Sequence, residues 1–177
     1  DYQTMKTIVI GLGNPILGDD GVGWRVAEEV QKQLADGGWQ IANSNSPSAI
    51  SHQPSAIEVD YVSLGGLSLM ERLTGYERVI LVDSIFTGEK PIGSVTTFPL
   101  SALPDLTAGH SASAHDTSLR TALTVGRSMN LPLPEDDQVT IVAIEAENVY
   151  DFSEKLSPPV EAAVPLAVAK VLDLLNK

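Results

Sequence analysis

The segment from residue 8 to residue 23 carries the residue types best suited to chemistry in this chain. It reads IVIGLGNPILGDDGVG, so an apolar run ends in G-x-G-N and the adjacent carboxylates Asp19 and Asp20 stand where a helix is predicted to begin. A dinucleotide-binding turn uses glycines to bring a phosphate close to a helix N-terminus. Two negative charges at that entrance would repel a pyrophosphate, whereas carboxylates beside a backbone turn suit a cation. The segment therefore predicts a cation site.

Three further residues are candidates for the same chemistry. Asp83 closes the apolar run VILV at 79–82, where a carboxylate is either a turn residue or a functional group at the rim of a sheet. His110 and His115 lie five residues apart, and Ser113 is a candidate N-cap that would place His115 in the first turn of a helix. A helix N-terminus disfavours protonation of a histidine, which keeps the imidazole neutral and able to bind a metal. His110 is the competing ligand on spacing grounds.

Asp20, Asp83 and His115 together form a candidate ligand set with coordination positions left open. Open positions are typical of a site that meets a substrate rather than of a purely structural site. Two carboxylates and one imidazole suit zinc, nickel, manganese or iron, and the residue types alone do not choose among these metals.

Composition excludes several classes of protein. The chain has 177 residues and no cysteine, so disulfides, thiolate metal sites and thiol proteases are excluded. It contains neither H-E-x-x-H nor G-x-S-x-G, the motifs of common zinc proteases and of nucleophile elbows. Its formal net charge is −12, without a basic block, which argues against a nucleic-acid partner. No apolar run has the length of a membrane span and no secretory signal is visible, so we expect a cytoplasmic protein.

The alternation of strand and helix patterns predicts how these candidates are positioned. Strands are predicted at 7–12, 57–62, 78–82, 94–98 and 138–144, and helices at 20–35, from 66 to 73, at 115–129 and at 159–176. Helical spacing predicts that Val125 faces inward from the third helix and that Leu166 lies on the apolar side of the last. This order predicts a single α/β domain over residues 1–177: a three-layer, doubly wound, mostly parallel five-stranded sheet with helices on both faces. With a strand order such as 2-1-3-4-5, the first and third strands flank the switch point, where ligands gather. Asp20 follows the first of these strands and Asp83 ends the third, so the topology brings the two together.

Two segments are expected to lie outside this framework. Residues 43–55 carry two prolines and five serines without periodicity, which predicts a mobile surface loop. Residues 1–4 precede Met5, a natural start, and are expected to be extraneous or a flexible beginning.

The chain resembles the [NiFe]-hydrogenase maturation endopeptidases. The resemblance rests on IGLGNPILGDDGVG at 10–23, VILVDSI at 79–85 and SAHD at 113–116, and it runs from about Met5 to the last helix. Members of this family are α/β proteins that remove a short C-terminal peptide from the precursor of the hydrogenase large subunit once nickel has been inserted. The resemblance thus implies an aspartic-type or metal-dependent peptidase, expected to be a monomer, whose partner is that precursor.

The resemblance also implies roles for individual residues. The family's metal-binding set falls on Asp20, Asp83 and His115, which are then the catalytic and metal-binding residues, with no other cofactor expected. The ion would be Ni²⁺ held by the precursor, with another divalent cation able to take its place, and the metal would position the scissile bond. The chain departs from the family in having Asp where Glu is frequent at position 20, in keeping only glycines at 65–66, and in the apparent insertion at 43–55.

Two other functions remain open from the sequence. Peptidyl-tRNA hydrolases also begin with a G-L-G-N-P turn, but they are expected to carry a histidine motif about ten residues later and a basic face for tRNA. A dinucleotide-binding or metal-carrying module without catalysis is the second alternative. The paired acids at 19 and 20 predict that NAD does not bind.

Overall fold

The α/β class predicted from the sequence is confirmed. The structure is a computed structural model that describes residues 5–36, 57–63, 65–103 and 114–177, apart from the side chains of 114–118. Among these residues, one sheet contains β1 (Thr7–Leu12), β2 (Ile57–Val62), β3 (Arg78–Ile85), β4 (Val95–Pro99) and β5 (Val139–Glu145). The helices are α1 (Val22–Ala35), α2 (Gly66–Leu73), α3 (Ala114–Ser128) and α4 (Pro158–Leu175), and a 3₁₀ helix, Gly18–Gly21, leads into α1.

The order of the strands differs from prediction at one edge of the sheet. The order is β2-β1-β3-β5-β4, in which β1, β2, β3 and β5 run parallel and β4 is antiparallel to β5. A parallel crossover needs about a dozen or more residues. The link between β3 and β4, residues 86–94, is too short for one, so β4 returns antiparallel along the outside of β5. The predicted neighbourhood of β1 and β3 is confirmed, and it is this pair that positions the site.

Two separate hydrophobic cores lie on opposite faces of the sheet. Successive residues of a strand point to opposite faces, and along β1 Ile8, Ile10 and Leu12 belong to one core while Val9 belongs to the other. The first core includes the buried leucines of α2 and α3, and the second includes the buried valines of α1 and α4. Helices therefore cover both faces, with α2 and α3 on one side and α1 and α4 on the other.

Three details of the prediction are wrong. Val125 of α3 was expected to face inward but is 47% exposed, because Leu119, Ala122 and Leu123 form the buried stripe of that helix. Leu166 of α4 is likewise 52% exposed. Strand β3 continues to Ile85 instead of ending before Asp83, since β5 offers it pairing partners as far as Glu145.

Residues 1–4 and the predicted loop 43–55 lie outside the described residues. In the part of the chain that the structure describes, no helix is long and apolar enough to cross a membrane.

Candidate active site

Asp20 lies in the connection between β1 and α1, and its carboxylate contacts both its own loop and β3. Oδ2 accepts a hydrogen bond from the backbone N–H of Asn14 at 2.8 Å, and Oδ1 lies 3.4 Å from the hydroxyl of Ser84 in β3. The turn that allows this depends on Gly13, whose φ is +123° and whose place a larger residue could not take, because a Cβ there would lie 1.9 Å from the backbone oxygen of Asp20. The carboxylate is thus fixed at the carboxyl ends of β1 and β3.

Gly23 brings the first turn of α1 directly against the sheet. A Cβ at this position would lie 2.3 Å from the carbonyl oxygen of Val82 and 2.4 Å from that of Leu12. Real Cβ atoms do not approach backbone oxygens so closely, so only glycine fits. The second half of the motif therefore holds the helix entrance, and Asp20 with it, over the ends of the two central strands.

Asp83 is buried inside β3, with only 1% of its surface exposed. Its Oδ1 accepts a hydrogen bond from the backbone N–H of Ser84 at 2.9 Å. By strand alternation Asp83 shares a face with Leu81, which lies in the core formed with α2 and α3. Asp83 therefore faces the layer that contains α3, while its neighbour Ser84 contacts Asp20 on the other face. The structure thus brings Asp20 and Asp83, 63 positions apart in the sequence, to the carboxyl ends of the central strands β1 and β3.

His115 is placed by its backbone only. Helix α3 begins at Ala114, which confirms that His115 stands in the first turn of a helix. Its side chain, and the whole of His110, lie outside the described residues. No group of three or more histidine, aspartate or glutamate side chains that could hold a metal appears in the described part of the chain, which does not include these two imidazoles. The convergence of His115 with the two carboxylates, and the choice of His115 over His110, stay predictions.

Comparison with known proteins settles the family. The family model described as HycI, hydrogenase maturation protease, matches residues 59–174, about two thirds of the chain. The chain belongs to the hydrogenase maturation protease family. The match contains Asp83 and the start of α3, whereas the motif with Asp20 lies before it. Among the functions left open by the sequence, the family match favours the peptidase over a peptidyl-tRNA hydrolase and over a binding module without catalysis.

Two relatives and one solved structure are similar to this chain over nearly its whole length. The hydrogenase expression/formation protein HupD of Rhizobium leguminosarum bv. viciae is 23% identical over 97% of this chain and 74% of its own length. Its counterpart HoxM of Cupriavidus necator is 25% identical over 96% of this chain and 74% of its own length. The hydrogenase maturating endopeptidase HybD from E. coli has a similar fold, with a TM-score of 0.69 and 20% identity over 97% of this chain and 93% of that structure.

Asp19, the other acid of the pair in this maturation protease, does not cap α1. A carboxylate at a helix start is ordinarily an N-cap, but no side chain caps the 3₁₀ helix or α1. Asp19 is 1% exposed, and its two carboxylate oxygens accept hydrogen bonds from the backbone N–H and the hydroxyl of Ser157, at 2.6 and 2.7 Å. Ser157 is the N-cap residue of α4, so the carboxylate reaches a helix 138 residues further along the chain. A sequence pattern gives no sign of this long-range contact.

Glu145 is a buried carboxylate, like Asp19 and Asp83, but the sequence analysis did not identify it. It ends β5, is 1% exposed, and its Oε1 accepts hydrogen bonds from the backbone N–H and hydroxyl of Thr87 and from the N–H of Gly88, at 3.0, 2.5 and 3.1 Å. It thereby holds the loop that leaves β3. The signal for it was available, because an acid that ends the apolar run VTIVAI repeats the pattern that singled out Asp83.

A cavity of about 540 Å³ opens beside the loop that carries Asp20. Trp24 and Tyr61 line it, with ring centroids 5.5 Å apart, together with Ile16 and Leu156. Burial, and then the carboxylates of Glu28 and Asp60, raise the pKa of Tyr61 above its usual value. The Tyr61 phenol stays neutral at physiological pH and donates a hydrogen bond to Gln31 at 2.6 Å. The cavity is therefore lined by two aromatic side chains and lies next to the candidate site.

Proposed function

We propose that this chain removes the C-terminal extension of a [NiFe]-hydrogenase large-subunit precursor after nickel insertion. Family membership supports the processing of hydrogenase precursors. The dependence on nickel is supported by one observation above all: Asp20 and Asp83, from segments far apart in the chain, both contact Ser84 near the end of β3, Asp20 through the Ser84 hydroxyl and Asp83 through its backbone N–H. Oxygen ligands of this kind suit a divalent cation.

In this proposal the nickel belongs to the substrate and serves as the feature that the enzyme recognises. Asp20 and Asp83 would supply carboxylate oxygens, and His115, in the first turn of α3, would supply an imidazole nitrogen. The cation supplies charge that attracts both carboxylates. Binding of this metal would hold the scissile bond in a fixed position, which is how binding energy lowers the barrier of a subsequent reaction.

The acidic character of the chain is consistent with this assignment. A net charge of −12 disfavours tRNA and other nucleic acids as partners. The carboxylate of Asp20 stands at the helix entrance where a pyrophosphate would bind in a dinucleotide-binding protein, so it disfavours NAD. We further propose that the protein acts as a monomer in the cytoplasm, where its precursor would be assembled.

The test is a processing assay with two forms of the precursor. The purified chain is incubated with nickel-loaded and with nickel-free large-subunit precursor, and the intact mass of the precursor is followed over time. We expect the loss of one short C-terminal peptide from the nickel-loaded form only. Equal cleavage of both forms would contradict recognition of nickel, and cleavage of neither would contradict the protease assignment.

A further inference from the structure

We propose that Asp19 is a positioning residue, which fastens the loop carrying Asp20 to the start of α4 and so holds Asp20 in place. The proposal rests on the proposed function, since it concerns the same site. Asp19 contacts Ser157 at the start of α4, and its role is exerted through the backbone that it shares with Asp20.

The contact between Asp19 and Ser157 joins two parts of the molecule that otherwise belong to different elements. Both carboxylate oxygens of Asp19 are engaged by one residue, through its backbone N–H at 2.6 Å and its hydroxyl at 2.7 Å. Burying a carboxylate is costly unless donors replace water, and here two donors do so. The position at the N-terminus of α4 adds to this, because the helix dipole favours a negative charge there. The position therefore requires a hydrogen-bond acceptor, to which a negative charge adds a favourable interaction with the helix dipole.

The hydroxyl of Ser157 does not cap its own helix, α4. A serine at an N-cap ordinarily turns its hydroxyl toward the free backbone N–H groups of its own helix. Here the first two helical positions are Pro158 and Pro159, which have no N–H, and the hydroxyl makes no bond to α4. The Ser157 hydroxyl can donate to Asp19 without competing with a cap.

Backbone hydrogen bonds extend the same junction. The N–H of Asp19 donates to the carbonyl of Asn148 at 2.8 Å, and the N–H of Gly18 donates to that of Ser153 at 2.7 Å. In return the N–H of Ser153 donates to the carbonyl of Ile16 at 2.9 Å. The loop before α1 is thus paired along its length with the connection between β5 and α4, and Asp19 adds a buried side-chain link to that pairing.

The junction holds the loop that carries Asp20 against α4, which the hydrogen bonds of Asp20 with Asn14 and Ser84 do not do. The contact with Ser84 is long, at 3.4 Å, and the 2.8 Å bond from Asn14 comes from within the same loop. Nothing in these two bonds fixes the loop as a whole against α4. A displacement of about 1 Å at a reacting site can cost about a hundredfold in rate. Loss of the Asp19 link would therefore lower turnover through Asp20.

The test compares Asp19→Ala, Asp19→Asn and a control, Val171→Ala, which removes fully buried methyl groups from α4 without touching the junction. All are assayed at a temperature at which each is folded. We expect Asp19→Ala to lower kcat for precursor processing by about 10- to 100-fold with KM little changed. Asp19→Asn, which keeps an acceptor for the Ser157 N–H, should restore most of the activity, and Val171→Ala should keep wild-type kcat. Equal losses in Asp19→Ala and Val171→Ala would overturn the inference.

A second readout does not depend on activity. Hydrogen–deuterium exchange should speed up in residues 17–20 of Asp19→Ala and stay unchanged in the strands, whereas unchanged exchange in that loop would overturn the inference. If Asp19→Ala does not fold, Ser157→Ala removes only the hydroxyl and is expected to give the same effects in weaker form. Its failure to alter either kcat or loop exchange would likewise contradict the role. Absence of processing by the wild-type enzyme would instead refute the proposed function. The hydrogen–deuterium exchange measurement alone would then test whether Asp19 holds the loop in place.

Discussion

Replacing Asp20 with asparagine separates the charge of this residue from its hydrogen bonds. Asparagine has nearly the same size, and its carbonyl oxygen can accept from the N–H of Asn14 as Oδ2 does now, at 2.8 Å. Its amide group would then face the hydroxyl of Ser84, which can accept as well as donate. The variant therefore keeps these two contacts and removes the negative charge that a cation requires.

The two effects of this substitution have very different expected sizes. A hydrogen bond to a charged group contributes about 1.5–3 kcal/mol and one between neutral groups about 0.5–1.5 kcal/mol. Because Asp20 is half-buried and its second contact is long, we expect a loss of about 1 kcal/mol in the free energy of unfolding. For a chain of this size that lowers Tm by about 2–4 °C. Residues that only support a metal ligand cost about 10- to 100-fold when changed, so loss of a ligand itself should cost at least about 100-fold in processing.

The assay measures both quantities on the same preparations. Thermal unfolding is followed by circular dichroism, and cleavage of nickel-loaded precursor is followed by intact mass. Asp19→Asn is the matched control, since it makes the same chemical change one residue earlier, at a carboxylate bonded to Ser157, and should keep most of the activity. Equal losses of activity in the two variants would mean that the pair acts together. Retention of processing by Asp20→Asn would refute the role of its charge.

Three other experiments, two of them on pairs of variants, give distinct outcomes. His115→Ala should abolish processing with the fold intact, while His110→Ala should keep substantial activity in the same assay, and the reverse result would reassign the ligand. Glu145→Gln removes one of two buried acceptor oxygens that hold the loop after β3, and should lower stability by about 1–3 kcal/mol in denaturant titration; an unchanged midpoint would refute that role. Gly23→Ala should prevent folding or soluble expression, because its Cβ would meet two backbone oxygens. Gly75→Ala is the control, because φ there is +88° but an added Cβ would meet no atom within 4 Å. It should lower the free energy of unfolding by only about 1–2 kcal/mol. Equal effects of Gly23→Ala and Gly75→Ala would contradict the steric argument.

The elements of the fold were predictable because each carries its own local signal. Apolar runs gave β1 and β2 with the bounds that the structure has, and helical spacing placed α1 and α4 to within a few residues. The edge of the sheet was not predictable in the same way, since the direction of β4 depends on the length of the link from β3 and on which strand offers a free edge. Periodicity also failed for Val125, because the rotation of α3 is set by packing against α2.

The candidate site shows the same division between local and long-range information. The motif before α1 and the acid after VILV could be identified from residue types, and the predicted neighbourhood of β1 and β3 placed both acids at the carboxyl ends of these strands. The partner of Asp19 could not be found, because Ser157 lies 138 residues away and its own surroundings predict an ordinary N-cap. Glu145 was missed although it follows the same rule as Asp83, an acid at the carboxyl end of a buried strand.

The most direct test of the proposed site is anomalous diffraction at the nickel edge from crystals of the wild-type protein grown with Ni²⁺. We predict one strong peak at the carboxyl ends of β1 and β3, about 2.0–2.3 Å from ligand atoms of Asp20, Asp83 and His115 together. A peak bound by His110 or Asp19 in place of these residues, or no peak at that edge of the sheet, would contradict the claim that the three residues form one metal-recognition site.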